Sequence, residues 1–190
     1  PQRLVGIHFF NPVSRMPLVE VVESELLAPD VRSTAYAFVN QIGKLPLPVK
    51  DSPGFLVNAV LAPYMLEAMR CVDEGLEPAT VDKAMVQFGM PMGPLELADT
   101  VGLDIARDAG AQLSQQAVMP ACLKSHLDRQ ELGRKTGQGF YTWKDGKAQK
   151  PPAGTIPSGL ADRLIKPLIE QTEHQVRIGV VQNEDLADAG

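Results

Sequence analysis

The sequence predicts a mainly helical protein that begins with a short α/β segment. Residues 4–50 combine short apolar stretches with one amphipathic helix, which is typical of strands packed against a helix. From residue 51 the apolar residues recur at helical spacing, with helix-start and helix-end signals up to residue 178. A chain of 190 residues can hold one sizeable core, or one domain together with part of another.

The α/β segment contains three predicted strands and one predicted helix. We expect the strands at residues 4–10, 18–22 and 45–49, and the helix at residues 30–42. The first strand is apolar on both faces, so we predict that it is covered on both sides in a parallel sheet. Pro46 and Pro48 favour a sheet edge for the third strand, because proline cannot donate to a ladder.

The helical part begins at residues 51–54 (Asp-Ser-Pro-Gly), where a capping oxygen is followed by proline. The first helix, residues 55–72, is apolar on nearly every face and should be central, with a kink at Pro63. We predict further helices at residues 79–88, 94–101, 102–117, 119–131 and 159–178. Residues 133–143 are rich in turns. The predicted domain boundaries are therefore 1–50, 51–145, a linker at 146–158, and 159–190.

One internal repeat is suggested by spacing. A proline, a valine and a glycine occur twice at the same intervals: Pro63, Val72 and Gly75, and Pro167, Val176 and Gly179. Chance and duplication both account for this pattern. Under duplication, a second copy of the helical unit begins near residue 159 and the chain stops inside it.

Composition excludes several classes of function. The formal net charge of −5 argues against a nucleic-acid surface, and no apolar run reaches the length of a membrane span. Cys71 and Cys122 show no CxxC spacing, and His126 and His174 lack ligand-spaced partners, so we predict neither a disulfide framework nor a metal site. No signal-peptide layout is present, and we expect a bacterial cytoplasmic location rather than the mitochondrial matrix or a peroxisome.

His8 and Glu20 are the first candidates for chemistry. His8 lies at the end of a strand, where open α/β sheets place their ligand crevices, although a histidine there is often a core residue. Glu20 shares a strand face with Leu18 and Val22, which is costly for a carboxylate without a partner. Either Glu20 orients His8 for proton transfer, or it is a solvent-facing residue of an edge strand. The residues alone leave these interpretations equal.

Two asparagines are further candidates. Asn11 precedes a proline, which favours a turn, but its amide is also suited to a ligand at the mouth of a crevice. Asn58 lies among apolar residues, where an amide needs either a backbone partner or a ligand. Residues 137–139 (Gly-Gln-Gly) fit a turn better than a phosphate loop. The basic residues between 124 and 150 are either a solvated face or a surface for the phosphates of coenzyme A.

These residues together resemble the 3-hydroxyacyl-CoA dehydrogenase family over nearly the whole chain. Five blocks in the family's order carry the resemblance: Gly6-Ile7-His8-Phe9-Phe10-Asn11-Pro12-Val13, Leu18-Val19-Glu20-Val21, Lys50-Asp51-Ser52-Pro53-Gly54-Phe55-Leu56-Val57-Asn58, Pro91-Met92-Gly93-Pro94 and Gly137-Gln138-Gly139-Phe140-Tyr141. Five ordered blocks are a strong signal, whereas each block alone is weak.

The resemblance implies a role for each candidate. His8 takes the proton of the substrate hydroxyl while a hydride leaves for NAD, and Glu20 orients His8. Asn11 lies near the nicotinamide, and Asn58 near the acyl thioester. The implied fold is a 6-phosphogluconate-dehydrogenase-like helical domain, preceded by the last strands and helix of a truncated Rossmann-type α/β domain.

The implied partners follow from the same resemblance. The substrate is a (3S)-hydroxyacyl-CoA, oxidised to 3-ketoacyl-CoA in fatty-acid oxidation. The run Arg15-Met16-Pro17-Leu18 and the suspected repeat resemble the multifunctional enzymes of that pathway. We therefore expect a dimer or a pseudo-dimer of repeats, and a thiolase partner in the complex.

The sequence departs from the family at two places. Ala59 stands where the family usually has Arg, and no Gly-x-Gly-x-x-Gly occurs in the chain. We therefore expect the NAD-gripping loop to precede residue 1 in a longer protein, and this stretch alone to be inactive. The rival functions are a non-catalytic dimerisation or assembly module and a related hydroxy-acid dehydrogenase.

Overall fold

The strands and helices of the computed structural model follow the predicted order along the chain. It describes residues 1–113 and 118–181, and within these ranges the protein is mainly helical with small sheets. The elements are β1 (Gly6–Phe9), β2 (Leu18–Glu23), α1 (Pro29–Gln41), β3 (Leu45–Lys50), α2 (Val57–Asp73), α3 (Pro78–Phe88), α4 (Pro94–Val101), α5 (Leu103–Leu113), α6 (Ala121–Asp128), β4 (Thr142–Lys144), β5 (Lys147–Gln149) and α7 (Leu160–Arg177). Within the described ranges, no helix combines the length and hydrophobicity that a membrane span requires.

Two units make up the chain. The first contains residues 1–59 and 171–190, and the second contains residues 60–170. Residues 114–117, which end the predicted helix 102–117, lie outside the described residues, as does the last part of the predicted second repeat, residues 182–190.

The sheet of the first unit has the order β1-β2-β3. β2 pairs in parallel with β3, but β1 runs antiparallel to β2. The prediction of a parallel first strand was therefore wrong: the connection of residues 10–17 is too short for the crossover that parallel strands require. β1 is also only partly buried, whereas β3 lies at the edge of this sheet as its prolines indicated.

A small apolar core fixes the orientation of β2. Val19 and Val21 are fully buried and pack with Ala35 and Val39 of α1. Because side chains alternate along a strand, Glu20 projects from the opposite face of β2. The valines therefore determine where the carboxylate is presented.

The first turn before α2 differs from the prediction. Gly54 and Phe55 both have positive φ angles, of 76° and 48°. Left-handed residues cannot continue a right-handed helix, so α2 begins at Val57, two residues after the predicted start at Phe55. Pro63 lies inside this helix, as the sequence predicted.

In the second unit, two buried carboxylates connect loops to helices. Asp82 accepts the amides of Leu95 and Glu96 at 2.8 and 3.1 Å and so caps α4. Asp99 accepts the amides of Phe140 and Tyr141, both at 3.0 Å, and the indole N–H of Trp143 at 2.9 Å. Burial raises the pKa of both aspartates.

The turn at residues 137–139 serves this arrangement. A Cβ added at Gly139 would lie 2.1 Å from Oδ1 of Asp99, so any side chain at this position would collide with the carboxylate. Gly139 thus allows the backbone to approach Asp99 closely. The hairpin β4–β5 that follows occupies the start of the predicted linker.

α2 and α7 end with the same backbone hydrogen bonds. The amides of Gly75 and Gly179 bond to the carbonyls of Val72 and Val176 at 2.9 and 3.0 Å. The next amides, of residues 76 and 180, bond to the carbonyls of residues 71 and 175, each at 3.0 Å. Both glycines have positive φ. α1 and α3 end with the same pair of hydrogen bonds, at Gly43 and Gly89, so this ending is a common one and leaves chance and duplication both open.

Candidate functional site

The predicted pair of His8 and Glu20 is assembled in the first unit. The two residues lie directly opposite each other on β1 and β2. Nδ1 of His8 lies 2.7 Å from Oε2 of Glu20. The antiparallel register explains this contact, because opposite residues of such a ladder share one face and have closely spaced Cβ atoms.

Glu20 is fully buried and accepts three hydrogen bonds. Besides His8, its Oε1 receives the backbone N–H groups of Leu56 and Val57, each at 2.9 Å. Glu20 lies on the central strand of the sheet, so the interpretation as a solvent-facing edge residue was wrong. The first amides of a helix lack partners within it, and their dipoles favour a negative charge. Glu20 therefore caps α2 from another element and is held as a carboxylate.

This carboxylate determines the tautomer of His8. A carboxylate only accepts hydrogen bonds, so Nδ1 of His8 must carry the proton of the 2.7 Å contact. The neutral imidazole then has its free lone pair on Nε2. The side chain of His8 is 32% exposed, which leaves this ring accessible to a ligand.

Two phenylalanines border the imidazole. The ring of Phe10 meets it edge-on, with centroids 4.8 Å apart and planes at 67°. The ring of Phe55 lies 5.5 Å away at 55°. Such aromatic contacts restrict the rotation of the ring.

Along the chain, Asn11 lies between His8 and Glu20, and Asn58 follows both. Asn11 is exposed and comes two residues after β1 ends. Asn58 is the second residue of α2, is partly exposed, and follows Val57 directly. Ala59 is buried and its amide bonds to the Gly54 carbonyl at 3.2 Å, so this departure from the family lies inside the same turn.

The sequence did not reveal the amides of Leu56 and Val57 or the contacts of Phe10 and Phe55. One signal was available: no arginine or lysine was identified as a partner for Glu20, and a buried carboxylate without a cation requires amide or hydroxyl donors. The Pro53-Gly54 pair before an apolar run marks a turn that brings amides close to another element.

A second histidine–glutamate pair occurs in the other unit but differs in its surroundings. Nδ1 of His126 lies 2.7 Å from Oε2 of Glu131, and the His126 ring meets Phe140 at the same distance and angle as His8 meets Phe10. However, Arg129 binds the same Glu131 oxygen at 2.9 Å, and the His126 side chain is only 14% exposed. This pair therefore links α6 to the Asp99 turn rather than offering a free base.

Four of the seven lysines and arginines between residues 124 and 150 make ion pairs with carboxylates. The pairs are Lys124–Asp128, Arg129–Glu131, Lys135–Asp104 and Lys150–Glu96. This favours the solvated face over a phosphate surface. Burial also raises the pKa of the Cys122 thiol to about 12, so it is not a nucleophile at neutral pH.

Comparison with known proteins identifies relatives over the whole chain. Residues 1–52 match the family model of the 3-hydroxyacyl-CoA dehydrogenase NAD binding domain, and residues 54–143 match that of the 3-hydroxyacyl-CoA dehydrogenase C-terminal domain. The fatty acid oxidation complex subunit alpha of Pseudomonas syringae pv. syringae is 38% identical over 99% of this chain and 26% of its own length. The chain spans 26% to 30% of the length of three such curated relatives.

Solved structures agree with this assignment. FadB2 of M. tuberculosis is 38% identical, with a TM-score of 0.71 over 76% of this chain and 53% of that one. The 3-hydroxybutyryl-CoA dehydrogenase of Escherichia coli K12 is 32% identical, with a TM-score of 0.69 over 84% of this chain and 35% of that one. Both domain types are thus represented in the same order as in the family.

Proposed function

Because this chain belongs to the 3-hydroxyacyl-CoA dehydrogenase family, we propose that it carries the proton-transfer part of an NAD-dependent oxidation of (3S)-hydroxyacyl-CoA to 3-ketoacyl-CoA. The observation that carries this proposal is the arrangement of His8, Glu20 and the amides at the start of α2. It leaves one accessible imidazole nitrogen with a lone pair and places a buried carboxylate behind it. This is the arrangement that a general base requires.

In the proposed reaction, the proton of the substrate hydroxyl moves to His8. The hydroxyl of the substrate donates a hydrogen bond to Nε2 of His8, and its proton passes to Nε2 as a hydride leaves the same carbon. His8 becomes an imidazolium. Its Nδ1–H keeps the hydrogen bond to Glu20, which is 2.7 Å long in the structure. The nearby carboxylate lowers the free energy of this cation, as in other histidine–carboxylate pairs. The alcohol thereby becomes a ketone.

The residues at the end of β1 fit the nicotinamide end of NAD. His8 offers a partly exposed neutral ring, and Asn11 offers an exposed amide two residues beyond the strand. Amides of this kind suit the carboxamide of a nicotinamide. NAD, when bound, supplies the ring that accepts the hydride. We assign Asn11 to the nicotinamide end of NAD. We assign none of the described residues to the pyrophosphate of NAD.

Asn58 is assigned to the acyl thioester. It sits in the first turn of α2, directly after an amide that holds Glu20, and its side chain is partly exposed. An amide there donates to a thioester carbonyl without competing with His8 for the substrate hydroxyl. The thioester would then fix the position of the β-carbon relative to Nε2.

The finer domain description is part of the proposal. We propose that the first unit contains the last strands and helix of a Rossmann-type domain, and that the helices after residue 51 form the 6-phosphogluconate-dehydrogenase-like domain. The equal spacing of proline, valine and glycine in residues 63–75 and 167–179 supports a second repeat beginning near residue 159. The curated relatives are bacterial subunits of fatty acid oxidation complexes. Their names support a bacterial cytoplasmic enzyme that belongs to a complex. The paired repeats and the thiolase partner are proposed from the family resemblance alone.

Replacing His8 by glutamine tests the proposed function. In the dehydrogenase that carries this sequence, His8→Gln should lower kcat by about 10³-fold or more, because Gln has no basic nitrogen. The KM for hydroxyacyl-CoA and the circular dichroism spectrum should stay unchanged. His126→Gln is the matched control and should keep normal turnover. Near-normal turnover of the His8 variant would exclude His8 as the base.

A comparison of substrates tests the specificity. The enzyme should oxidise 3-hydroxyacyl-CoA with a much higher kcat/KM than the free 3-hydroxy acid, because the thioester and CoA contribute binding energy to the transition state. Equal kcat/KM values would assign the site to a dehydrogenase of free hydroxy acids instead.

A further inference from the structure

Phe55 has a backbone conformation that is unusual for a bulky residue. Its φ angle is +48°, next to Gly54 at +76°. Gln130 and Asp145 also have positive φ, but Gln130 follows the end of α6 and Asp145 lies in the β4–β5 turn, where this conformation is common. Phe55 instead lies just before the start of a helix, beside the proposed site. A side chain is strained in this region unless the surroundings hold it there.

The backbone of Phe55 directs the next two amides. Its own N–H bonds to the carbonyl of Ser52 at 2.9 Å, which closes a tight turn. The chain then reverses direction, and Leu56 and Val57 both present their N–H groups to one oxygen of Glu20. Had the helix continued back through Phe55, these amides would lie along the axis of a longer helix. The left-handed residue therefore sets the point at which α2 meets Glu20.

The ring of Phe55 acts on the other member of the pair. It lies 5.5 Å from the His8 ring, on which Phe10 also packs at 4.8 Å. The imidazole is thus held by the Glu20 bond at Nδ1 and by two aromatic rings. Phe10 meets the imidazole with its ring, whereas Phe55 meets the imidazole with its ring and precedes the two amides that hold the carboxylate.

We propose that Phe55 is a positioning residue that sets the tautomer and orientation of His8 through both members of the His8–Glu20 pair. This inference rests on the proposed function only in that the positioned group is the base of the reaction. The alternative is that Phe55 fills space in the first unit and that His8 and Glu20 hold their geometry without it.

The tautomer of His8 can be measured independently of activity. In the 190-residue chain, nitrogen-15 NMR of the histidine rings distinguishes a proton on Nδ1 from a proton on Nε2. We expect the Nδ1–H form for His8 in the unmodified protein. His126 also bonds to a glutamate through Nδ1 and serves as the internal reference, since the ring packed on it is that of Phe140.

Phe55→Leu, Phe55→Tyr and Phe10→Leu separate the two explanations. Phe55→Leu should mix the His8 tautomers, shift the amide signals of Leu56 and Val57, and leave His126 unchanged. In the enzyme that carries this sequence it should lower kcat by about tenfold at unchanged KM, since a loss of alignment of less than ~1 Å costs up to about 10² in rate. Phe55→Tyr keeps a ring and should restore both readouts.

Phe10→Leu is the matched control for the backbone effect. It removes the closer of the two rings but should leave the Leu56 and Val57 amide signals in place. A folded Phe55→Leu variant with an unchanged His8 tautomer and unchanged kcat overturns the proposal. If that variant fails to fold, the proposal is overturned when Phe55→Tyr and Phe10→Leu shift the tautomer equally. A shifted tautomer in an enzyme that does not oxidise hydroxyacyl-CoA refutes the proposed function but not the positioning role.

Discussion

Replacing Glu20 by glutamine should remove most of the turnover while leaving the fold intact. The side chain is fully buried and faces three donors: Nδ1–H of His8 and the amides of Leu56 and Val57. A glutamine oxygen can still accept the two amides, which places its NH₂ group against His8. Nδ1 must then become an acceptor, and the imidazole proton moves to Nε2. In that tautomer Nε2 has no lone pair for the proton of the substrate.

The opposite orientation of the glutamine is less favourable. Its NH₂ group would face both helix amides, so two buried donors would lose their acceptor at about 1–3 kcal/mol each. The first orientation leaves all buried donors satisfied after the tautomer changes. Glu20→Gln should therefore produce the inactive tautomer of His8 rather than disrupt the fold.

The size of the effect follows from this tautomer change. In serine proteases an Asp-to-Asn change behind the histidine lowers kcat by about 10⁴. His8 is 32% exposed, so water assists the unfavourable tautomer here, and we expect a loss of about 10²- to 10⁴-fold, or ~3–5 kcal/mol in the barrier. KM should stay nearly constant because Glu20 is buried away from the substrate.

The assay combines NADH formation with unfolding in urea. Glu20→Gln in the dehydrogenase should show the loss in kcat, and the same change in the 190-residue chain should alter the free energy of unfolding by less than ~1 kcal/mol. Glu20→Ala is the comparison, because it leaves both α2 amides unpaired and should cost ~2–6 kcal/mol. A Glu20→Gln enzyme with kcat within about threefold of the unmodified enzyme would refute the tautomer argument.

Three further predictions concern residues outside the His8–Glu20 pair. Asp99→Asn should lower the free energy of unfolding by ~2–4 kcal/mol, because an acceptor for buried N–H groups is lost. Burial raises the pKa of Asp99, so the native state keeps the carboxyl proton of Asp99 to higher pH than the unfolded chain does. The difference in free energy of unfolding between the unmodified protein and Asp99→Asn, measured by urea titration, should therefore shrink as the pH rises through the raised pKa of Asp99. Gly75→Ala and Gly179→Ala should each cost about 1–2 kcal/mol in thermal unfolding, because both φ angles are left-handed; an unchanged melting temperature in either variant would contradict this. His126→Gln should change kcat by less than about twofold in the NADH assay, since its glutamate is shared with an arginine.

Local chemistry made most helices predictable. α4 begins at Pro94 and ends at Val101 as expected, because proline suits the first turn of a helix and Gly102 follows it. The β4–β5 hairpin was missed although its signal was present. Asp145 and Gly146 both adopt positive φ between two short strands, which is the turn that an Asp-Gly pair favours.

The errors arose where a distant residue decides the structure. The composition of β1 indicated burial but carried no information on its direction, which the short connection to β2 determined. The start of α2 was predicted from its own sequence, whereas its capping oxygen belongs to Glu20, 36 positions away from Leu56. Strand alternation and an unpartnered carboxylate left the pairing of His8 with Glu20 as one of two equal interpretations, and the family resemblance favoured it. The amides and rings that support it depend on that long-range contact.

Glu20 connects the stability of the helix to the proposed chemistry. Its two amide bonds are strongest when it is charged, because hydrogen bonds to a carboxylate are stronger than those to a neutral acid. When His8 takes up the substrate proton, a second transfer to Glu20 would weaken both bonds at the start of α2. In the proposed reaction, these two bonds therefore oppose a transfer of the substrate proton from His8 to Glu20. A carboxylate held by side-chain hydroxyls alone would not oppose that second transfer as strongly, because hydroxyl groups can also turn to accept its proton. The use of fixed backbone donors, which cannot accept, thus keeps Glu20 a partner of the base rather than a base itself.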